Sequence, residues 1–413
     1  MKKFRLVLLI SSIILMVSLS VFSSCKPQPS TSTPTPAKPP DTSQTPAEPE
    51  TLKIGLVTSL SGPMSAAFKG LYDAVEPAND FYNNAGGITI GGQKYLIDII
   101  AEDDQSSPQG AVAATNKLIE DGIKFMINPI FPPSLYAVTP LTNAAGILGF
   151  TGSGSNHSIY TKENPYSFLC YADAYDVHPF YNYIQKNFPD VKKVAILSAD
   201  DPAGEIVEGI LDEDLPERGM EIVIKERYTM DTQDFYPIVT KVIAAKPDAI
   251  ELIVSIPPWT AGITTAARDM GFTGPILACA SCGDMNVTST MINPEYNYDI
   301  FNAAVDPLSD KLPGITVEFR KLVEQTTGQP FNFDNFMLFN ALVPAVQGIV
   351  EAQSFDSDKV VTALENMVID SPWGENARFT GEEWGFQHLL TTEKLAITKT
   401  VKGGKVEFEY VDR

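Results

Sequence analysis

The chain has 413 residues, of which 51 are acidic, 30 are Lys or Arg and four are Cys, giving a formal net charge of −21. That balance argues against nucleic acid or an anionic membrane surface as a partner, and so few cysteines in so long a chain exclude a disulfide scaffold. The three scattered histidines, His157, His178 and His388, offer neither a metal cage nor the base of a nucleophilic triad.

Lys2, Lys3 and Arg5 open the chain ahead of an apolar run from Leu6 to Phe22, and Ser23-Ser24 then lead to Cys25. A basic start, a short apolar stretch and small residues before a cut mark an export signal. The tetrad Phe22-Ser23-Ser24-Cys25 resembles a bacterial lipoprotein box in which Phe22 stands where Leu is usual. On that reading residues 1–25 are signal peptide plus lipid attachment site, and several acyl chains on Cys25 hold the mature chain stably at a membrane. An uncleaved signal anchor is the alternative. Residues 26–50 are almost wholly Pro, Thr, Ser, Ala and Gln. They carry no apolar period and cannot bury a core, so a disordered linker is expected. In polyproline geometry, at about 3.1 Å per residue, it reaches roughly 75 Å.

From Leu52 about 360 residues remain, more than one hydrophobic core covers, so two domains are expected. Leu52–Thr58 reads as a buried strand. Ser61-Gly62-Pro63 then turns the chain into a helix ending near Asn84-Ala85-Gly86-Gly87. Tyr95–Ala101 is the next strand, with Glu102-Asp103-Asp104 at its carboxyl end. Ser107 caps a helix that Pro108 opens and Gly122 ends. Lys124–Asn128 is a strand, Ser134–Ala145 a helix, and Ile147–Thr151 a strand before the loop at 152–156. A second series begins at Lys192. Strands Val194–Ser198, Met220–Tyr228, Ala249–Ser255 and Pro275–Cys279 alternate with helices opening at Asp200–Gly204, Tyr236 and Pro257. After Asp306 come longer helices, Ile315–Thr327, Phe333–Ala352 and Asp356–Met367. Leu395–Val401 and Val406–Val411 flank Lys402-Gly403-Gly404-Lys405, a hairpin signal. No run after the leader reads as long enough to span a bilayer. Alternating strands and helices imply parallel sheets covered on both faces, and such sheets take ligands beyond the carboxyl ends of their strands.

Along this frame stand Ile54-Gly55 with Ser61-Gly62-Pro63, Ala78-Asn79-Asp80 with Asn84-Ala85-Gly86-Gly87-Ile88, and Glu102-Asp103-Asp104-Gln105. Pro108 with Ala111–Ala114 ahead of Lys117-Leu118, Pro140 with Ala145-Gly146-Ile147, and Lys193-Val194-Ala195 follow. Asp234-Phe235, Lys246-Pro247-Asp248 and Arg268 with Gly271 complete the series. No one motif is specific, but the ordered set resembles the type I periplasmic binding proteins of the leucine/isoleucine/valine-binding group, the solute receptors of branched-chain amino acid ABC importers. The resemblance implies an α/β fold of two Rossmann-like lobes with parallel central sheets and a three-crossing hinge. It puts lobe one at 51–172 and 305–387 and lobe two at 173–304 and 388–413, with hinge segments at Tyr171–Asp173, near Val305 and in the C-terminal tail. It also implies a small-molecule solute, an ABC permease with its ATPase subunits as partners, an extracytoplasmic location, no catalysis and no cofactor. A monomer is expected.

In that family the ligand carboxylate is held by hydroxyls and N–H groups from the loops after strands three and four of lobe one, a sound use of helix N-termini. Here the resemblance places those loops at 130–134 and 152–155. Pro132 aligns with the usual Ser and has neither hydroxyl nor N–H. Ser134 stands two residues on and Phe131 beside it, while Ser155, near Ser153, keeps the family's second hydroxyl. Ser134 and Ser155 also suit capping or turn roles. In lobe two the family's acid for the ligand ammonium aligns with Ala280. Asp284 is the nearest carboxylate and also reads as a helix cap. Ala203 replaces a common Tyr. Trp259 suits stacking or cation–π contact, or plain packing at a helix start, and Tyr175 near the hinge is of the same kind. The expected ligand contacts are therefore Phe131, Ser134, Ser153, Ser155, Tyr175, Ala203, Trp259, Ala280 and Asp284. A zwitterion taken out of water needs both charges matched. The altered match leaves open an aromatic acid or an amide beside an amino acid.

Cys279-Ala280-Ser281-Cys282 is the one motif that suggests an enzyme, since a C-x-x-C pair at a helix start can be redox active. Plain thiols or a local disulfide in a ligand loop are the other reading. There is no phosphate loop of the G-x-x-x-x-G-K-[ST] kind, so ATP hydrolysis belongs to a partner. Asp103 and Asp104 have no second carboxylate placed opposite them for acid–base work. The expected function is a lipid-anchored solute receptor of an ABC importer. A ligand sensor signalling through a membrane protein is the second class, and a C-x-x-C oxidoreductase the third.

Overall fold

Among the described residues sixteen strands build two sheets. The computed structural model describes residues 48–152, 157–171, 176–200, 202–280, 283–382, 385 and 387–413, with the side chains of 157, 202 and 203 left aside. In chain order the strands are β1 (Glu50–Thr58), β2 (Ile88–Ile90), β3 (Gln93–Asp103), β4 (Phe125–Ile127), β5 (Leu148–Thr151) and β6 (Ser167–Leu169). Then come β7 (Lys193–Ala199), β8 (Glu221–Tyr228), β9 (Ala249–Ile253), β10 (Ile276–Ala280) and β11 (Ile300–Asn302). Last are β12 (Ile369–Ser371), β13 (Gly374–Thr380), β14 (Leu389–Thr391), β15 (Lys394–Val401) and β16 (Lys405–Asp412). Sheet one runs β12-β13-β14-β6-β5-β4-β1-β3-β2 and sheet two runs β16-β15-β11-β10-β9-β7-β8. Both centres are parallel, as the strand–helix alternation requires; antiparallel strands stand at the edges, β2 and β12–β13 in one sheet and β15–β16 in the other.

The chain steps between sheets three times: after β6, after β11, and between Thr391 and Lys394. The first two steps are bonded to each other. The Tyr171 hydroxyl donates to the Ala303 carbonyl at 3.4 Å and accepts from the Val305 N–H at 3.2 Å. The third carries the terminal hairpin, whose turn uses Gly403 and Gly404 at φ 91° and 80°, the left-handed region that glycine enters without penalty.

The structure departs from expectation in several places. Leu389–Thr391, expected with lobe two, is β14 of sheet one, so the third step falls after it. The helix after Ser61-Gly62-Pro63 starts only at Lys69 and breaks into Lys69–Asp73 and Val75–Asn83, because the preceding loop is hydrogen-bonded to the end of β3. Short strands β2, β6, β11 and β12–β14 have no sequence signal of their own; at three to seven residues they are too brief for a period to show. The helix Phe333–Ala352, read as too short to span a bilayer, is long and apolar enough to do so. It is instead the central helix of lobe one, buried along most of its length, with Phe339 stacked on Phe319 at 3.9 Å.

Candidate binding cleft

The carboxyl ends of β1 and β3 are tied together. Asp103 accepts from the N–H groups of Leu60 (3.0 Å), Ser61 (3.1 Å) and Gln105 (2.8 Å) and from the Ser61 hydroxyl (2.5 Å). Desolvation opposes its charge, but these donors outweigh it and hold the carboxyl below its usual range. Asp104 is buried and accepts from the Ser59 hydroxyl at 2.6 Å and the Ser106 N–H at 2.7 Å. Both acids are thus committed to shaping the loop.

One strand over, the helix Pro132–Ala144 begins with two prolines and has Phe131 as its N-cap, with no side-chain capping bond. Prolines have no N–H, so Ser134 is the first residue there with a backbone donor to offer. Ser134 is fully buried, and its hydroxyl has no hydrogen-bond partner among the described residues. It does not cap the helix; it adds a hydroxyl to the positive end of the helix dipole. Phe131 is half-buried beside it. At the end of β5, Gly152 lies against the central helix, where a Cβ would stand 1.9 Å from the Met337 carbonyl oxygen. Asn340 of that helix donates to the carbonyls of Gly152 and Cys170, each at 2.8 Å. One buried amide therefore ties the residue after β5 to the residue after β6. Ser153, Ser155 and Tyr175 lie outside the described residues, as do Cys25 and Cys282.

In lobe two the candidates fall into different places. Trp259 is only 7% exposed and stands edge-on to Tyr228 at 5.4 Å. Its ring is spent on packing at the helix start, not presented to solvent. Ala280 is fully buried in the lobe-two core, and its carbonyl accepts from the Val254 N–H at 3.0 Å. Ala203 lies in the first turn of the helix Pro202–Glu217. Asp284 is the N-cap of the helix Met285–Met291, accepting from the Asn286 N–H at 2.8 Å. It is 8% exposed and also lines a cavity. Cys279 is buried in the same core, its thiol hydrogen-bonded to Glu251 and not set in a ligand loop.

That cavity measures about 1110 Å³ and is bounded by both lobes. Lobe one contributes Lys69, Tyr72, Asp73 and Glu76 from its first helices, and Phe331, Asn332 and Asp334 from the start of the central helix. Lobe two contributes Asp284, Asn286, Val287 and Thr290, and Leu308 comes from the second crossing. Asp284 is the one sequence candidate, among the described residues, that lines it. The lining carries four carboxylates against one ammonium, Lys69, which is already paired with Asp73. Burial pushes the Asp334 carboxyl up to about 7; a hydrogen bond from the Gly70 N–H opposes the shift, and the Asp284 and Asp73 charges add to it. Burial likewise raises Asp284, against hydrogen bonds from the Asn286 and Val287 N–H groups, with Asp306 adding repulsion. The lobe-one half of this lining was not read from the sequence. Its one signal is Asn332-Phe333-Asp334-Asn335, which forms a capping box between Asn332 and Asn335 and so marks where the central helix starts at the cavity wall.

The profile of the family described as Periplasmic binding protein matches residues 51–405. The Leu/Ile/Val-binding protein BraC3 of Rhizobium johnstonii is 27% identical over 201 residues, which is 48% of this chain and 53% of that protein. The chain thus spans about half the length of the first relatives it matches. The leucine-, isoleucine-, valine-, threonine- and alanine-binding protein of Pseudomonas aeruginosa is 20% identical over 361 residues, 81% of this chain and 90% of that one. Among solved structures, the branched-chain amino acid transporter substrate-binding protein LivJ of Streptococcus pneumoniae, in complex with isoleucine, superposes with a TM-score of 0.68 at 19% identity, covering 88% of this chain and all of that one. A solute-binding protein of an ABC transporter from R. palustris, in complex with 4-hydroxybenzoate, gives a TM-score of 0.71 at 18% identity over 88% and 96% of the two chains. At such identities the superpositions speak for the fold.

Proposed function

The chain belongs to the periplasmic binding protein family, and we propose that it is the extracytoplasmic solute receptor of an ABC importer. It grips a small organic solute between its lobes, hands it to a membrane permease whose separate ATPase subunits drive transport, and is held at the membrane by lipid on Cys25. Binding biases an open–closed equilibrium toward the closed form. The observation that carries this reading is the cavity of about 1110 Å³ walled by both lobes in a chain whose first two steps between the sheets are bonded to each other.

The solute is an amino acid or another molecule with an ammonium group. Supporting this, the cavity wall carries an excess of carboxylate with no free cation among its described residues, and a simple aromatic acid would be repelled by it.

Isothermal calorimetry of the purified chain against isoleucine, leucine, basic amino acids and 4-hydroxybenzoate tests the assignment. An amine-bearing solute is expected to bind at micromolar or lower Kd, and 4-hydroxybenzoate weakly. Tight 4-hydroxybenzoate binding with no amine binding contradicts it. Intact mass of the mature protein tests the anchor: acylation at Cys25 is expected, and an unlipidated N-terminus or one that begins before Cys25 refutes it.

A further inference from the structure

Lobe two buries an acid that the cleft does not use. Glu251 stands in the middle of β9 with no exposed surface. It accepts from the Tyr181 hydroxyl at 2.7 Å and from the Cys279 N–H at 2.8 Å, and the Cys279 thiol makes a third hydrogen bond to it. The second of these is unusual in a parallel sheet, where a strand N–H is met by a main-chain carbonyl of its neighbour. The ladder shows why it occurs. Leu277 pairs with Glu251 and Ala280 with Ile253, so β10 spends one residue more than β9 over the same rise. The extra residue makes a bulge, and the N–H it leaves over is met by a side chain. Past the bulge the strands rejoin through the Val254 N–H and the Ala280 carbonyl at 3.0 Å. There Val254 takes a φ of 54°, which a β-branched residue adopts only when its surroundings force it.

We propose that Glu251 is a positioning residue for the solute cleft: its carboxyl holds the bulge in β10, the strand that ends at Ala280, four residues before Asp284. The consequence for solute rests on the binding function proposed above; the bulge and its support do not.

The groups facing Glu251 are Tyr181 from the helix Val177–Asn187 and Cys279 from β10. β7 places Ile196 alongside, and Asp214 of the helix Pro202–Glu217 bears on Tyr181 while itself tied to Arg218 and His178. Burial pushes the Glu251 carboxyl up to about 7, against the hydrogen bonds from the Cys279 N–H, the Tyr181 hydroxyl and the Cys279 thiol, which favour its charge. In the neutral form one oxygen still accepts from the Cys279 N–H, so the support of the bulge is kept without a buried charge. In the ionised form the charge is buried with hydrogen-bond donors around it but no counter-ion among the described residues. The bulge is therefore held best below neutrality and loosens as pH rises through 7.

Amide hydrogen exchange of the solute-free protein reads the bulge directly. With the intrinsic pH dependence of exchange removed, the 276–280 segment is expected to exchange about tenfold faster at pH 8 than at pH 6 in the wild type. Glu251→Gln, whose amide oxygen still accepts from the Cys279 N–H and carries no charge, is expected to be flat across that range. Glu251→Met, which keeps the volume and removes the acceptor, is expected to exchange fast at both values and to weaken isoleucine binding, while Glu251→Gln keeps it. Identical pH profiles in wild type and Glu251→Gln overturn the proposal, and so does a Glu251→Met protein as protected as the wild type. Should Glu251→Met not fold, the first comparison decides. Failure of the wild type to bind isoleucine bears on the solute and leaves the exchange result standing.

Discussion

Asp334 and Asp284 meet the same cavity from opposite lobes, and burial disfavours the charge on each. A carboxyl whose folded pKa lies above its unfolded one favours the fold while protonated and costs stability once ionised. For Asp334 the window runs from 3.8 to about 7, so its contribution is full below that range and is lost as pH rises through it. Asp334→Asn removes the titration. It is expected to raise stability at pH 8 by on the order of 1–2 kcal/mol relative to wild type and to leave pH 4 unchanged, as denaturant melts at the two values will show. The same substitution is expected to weaken an amine solute about tenfold, since roughly 1.4 kcal/mol of charge attraction is at stake. A cation that binds beside a protonated carboxyl must displace the proton. Wild-type affinity for an amine should therefore climb up to about pH 7, where Asp334 titrates, and that climb should vanish in the variant.

The central helix Phe333–Ala352 does more than fill lobe one. Its start forms one wall of the cavity, its middle receives Gly152, and its Asn340 amide ties β5's end to the first crossing. Gly152→Ala would drive a methyl into the Met337 carbonyl, costing about 1–3 kcal/mol as backbone shifts. Gly209→Ala is the control. It lies exposed on a helix with nothing within 4 Å of the added Cβ, and should gain up to about 1 kcal/mol. Thermal melts of the pair should move in opposite directions. At this scale the sequence was legible where punctuation was strong. Ser107 caps its helix by accepting from the Gly110 N–H, and the helix runs Pro108–Glu120. The terminal hairpin turns at its two glycines. It was illegible where tertiary contacts decide. Asp103 delays the first helix through hydrogen bonds some 42 residues away in sequence, and Trp259, an attractive ligand platform on paper, turns into the core against Tyr228.

The chain steps between the two sheets three times, and sheet membership crosses sequence order: β12–β14 belong with β1–β6. The parallel centres, being nearly continuous apolar runs, announce themselves in sequence. The cavity between lobes does not, because its walls come from 69–76, 284–290 and 326–334, segments that only the fold brings together. Asp284 was visible as the nearest acid after β10; Asp334 was not, for it sits in the first turn of what reads as a core helix. The measurement that bears most directly on the account is a crystal structure of the protein with the tightest-binding solute from calorimetry. The account predicts that solute lodged between the two sheets, its ammonium within hydrogen-bond reach of Asp284 from one lobe and Asp334 from the other. Solute found on one lobe alone, or outside the space between the lobes, would contradict it.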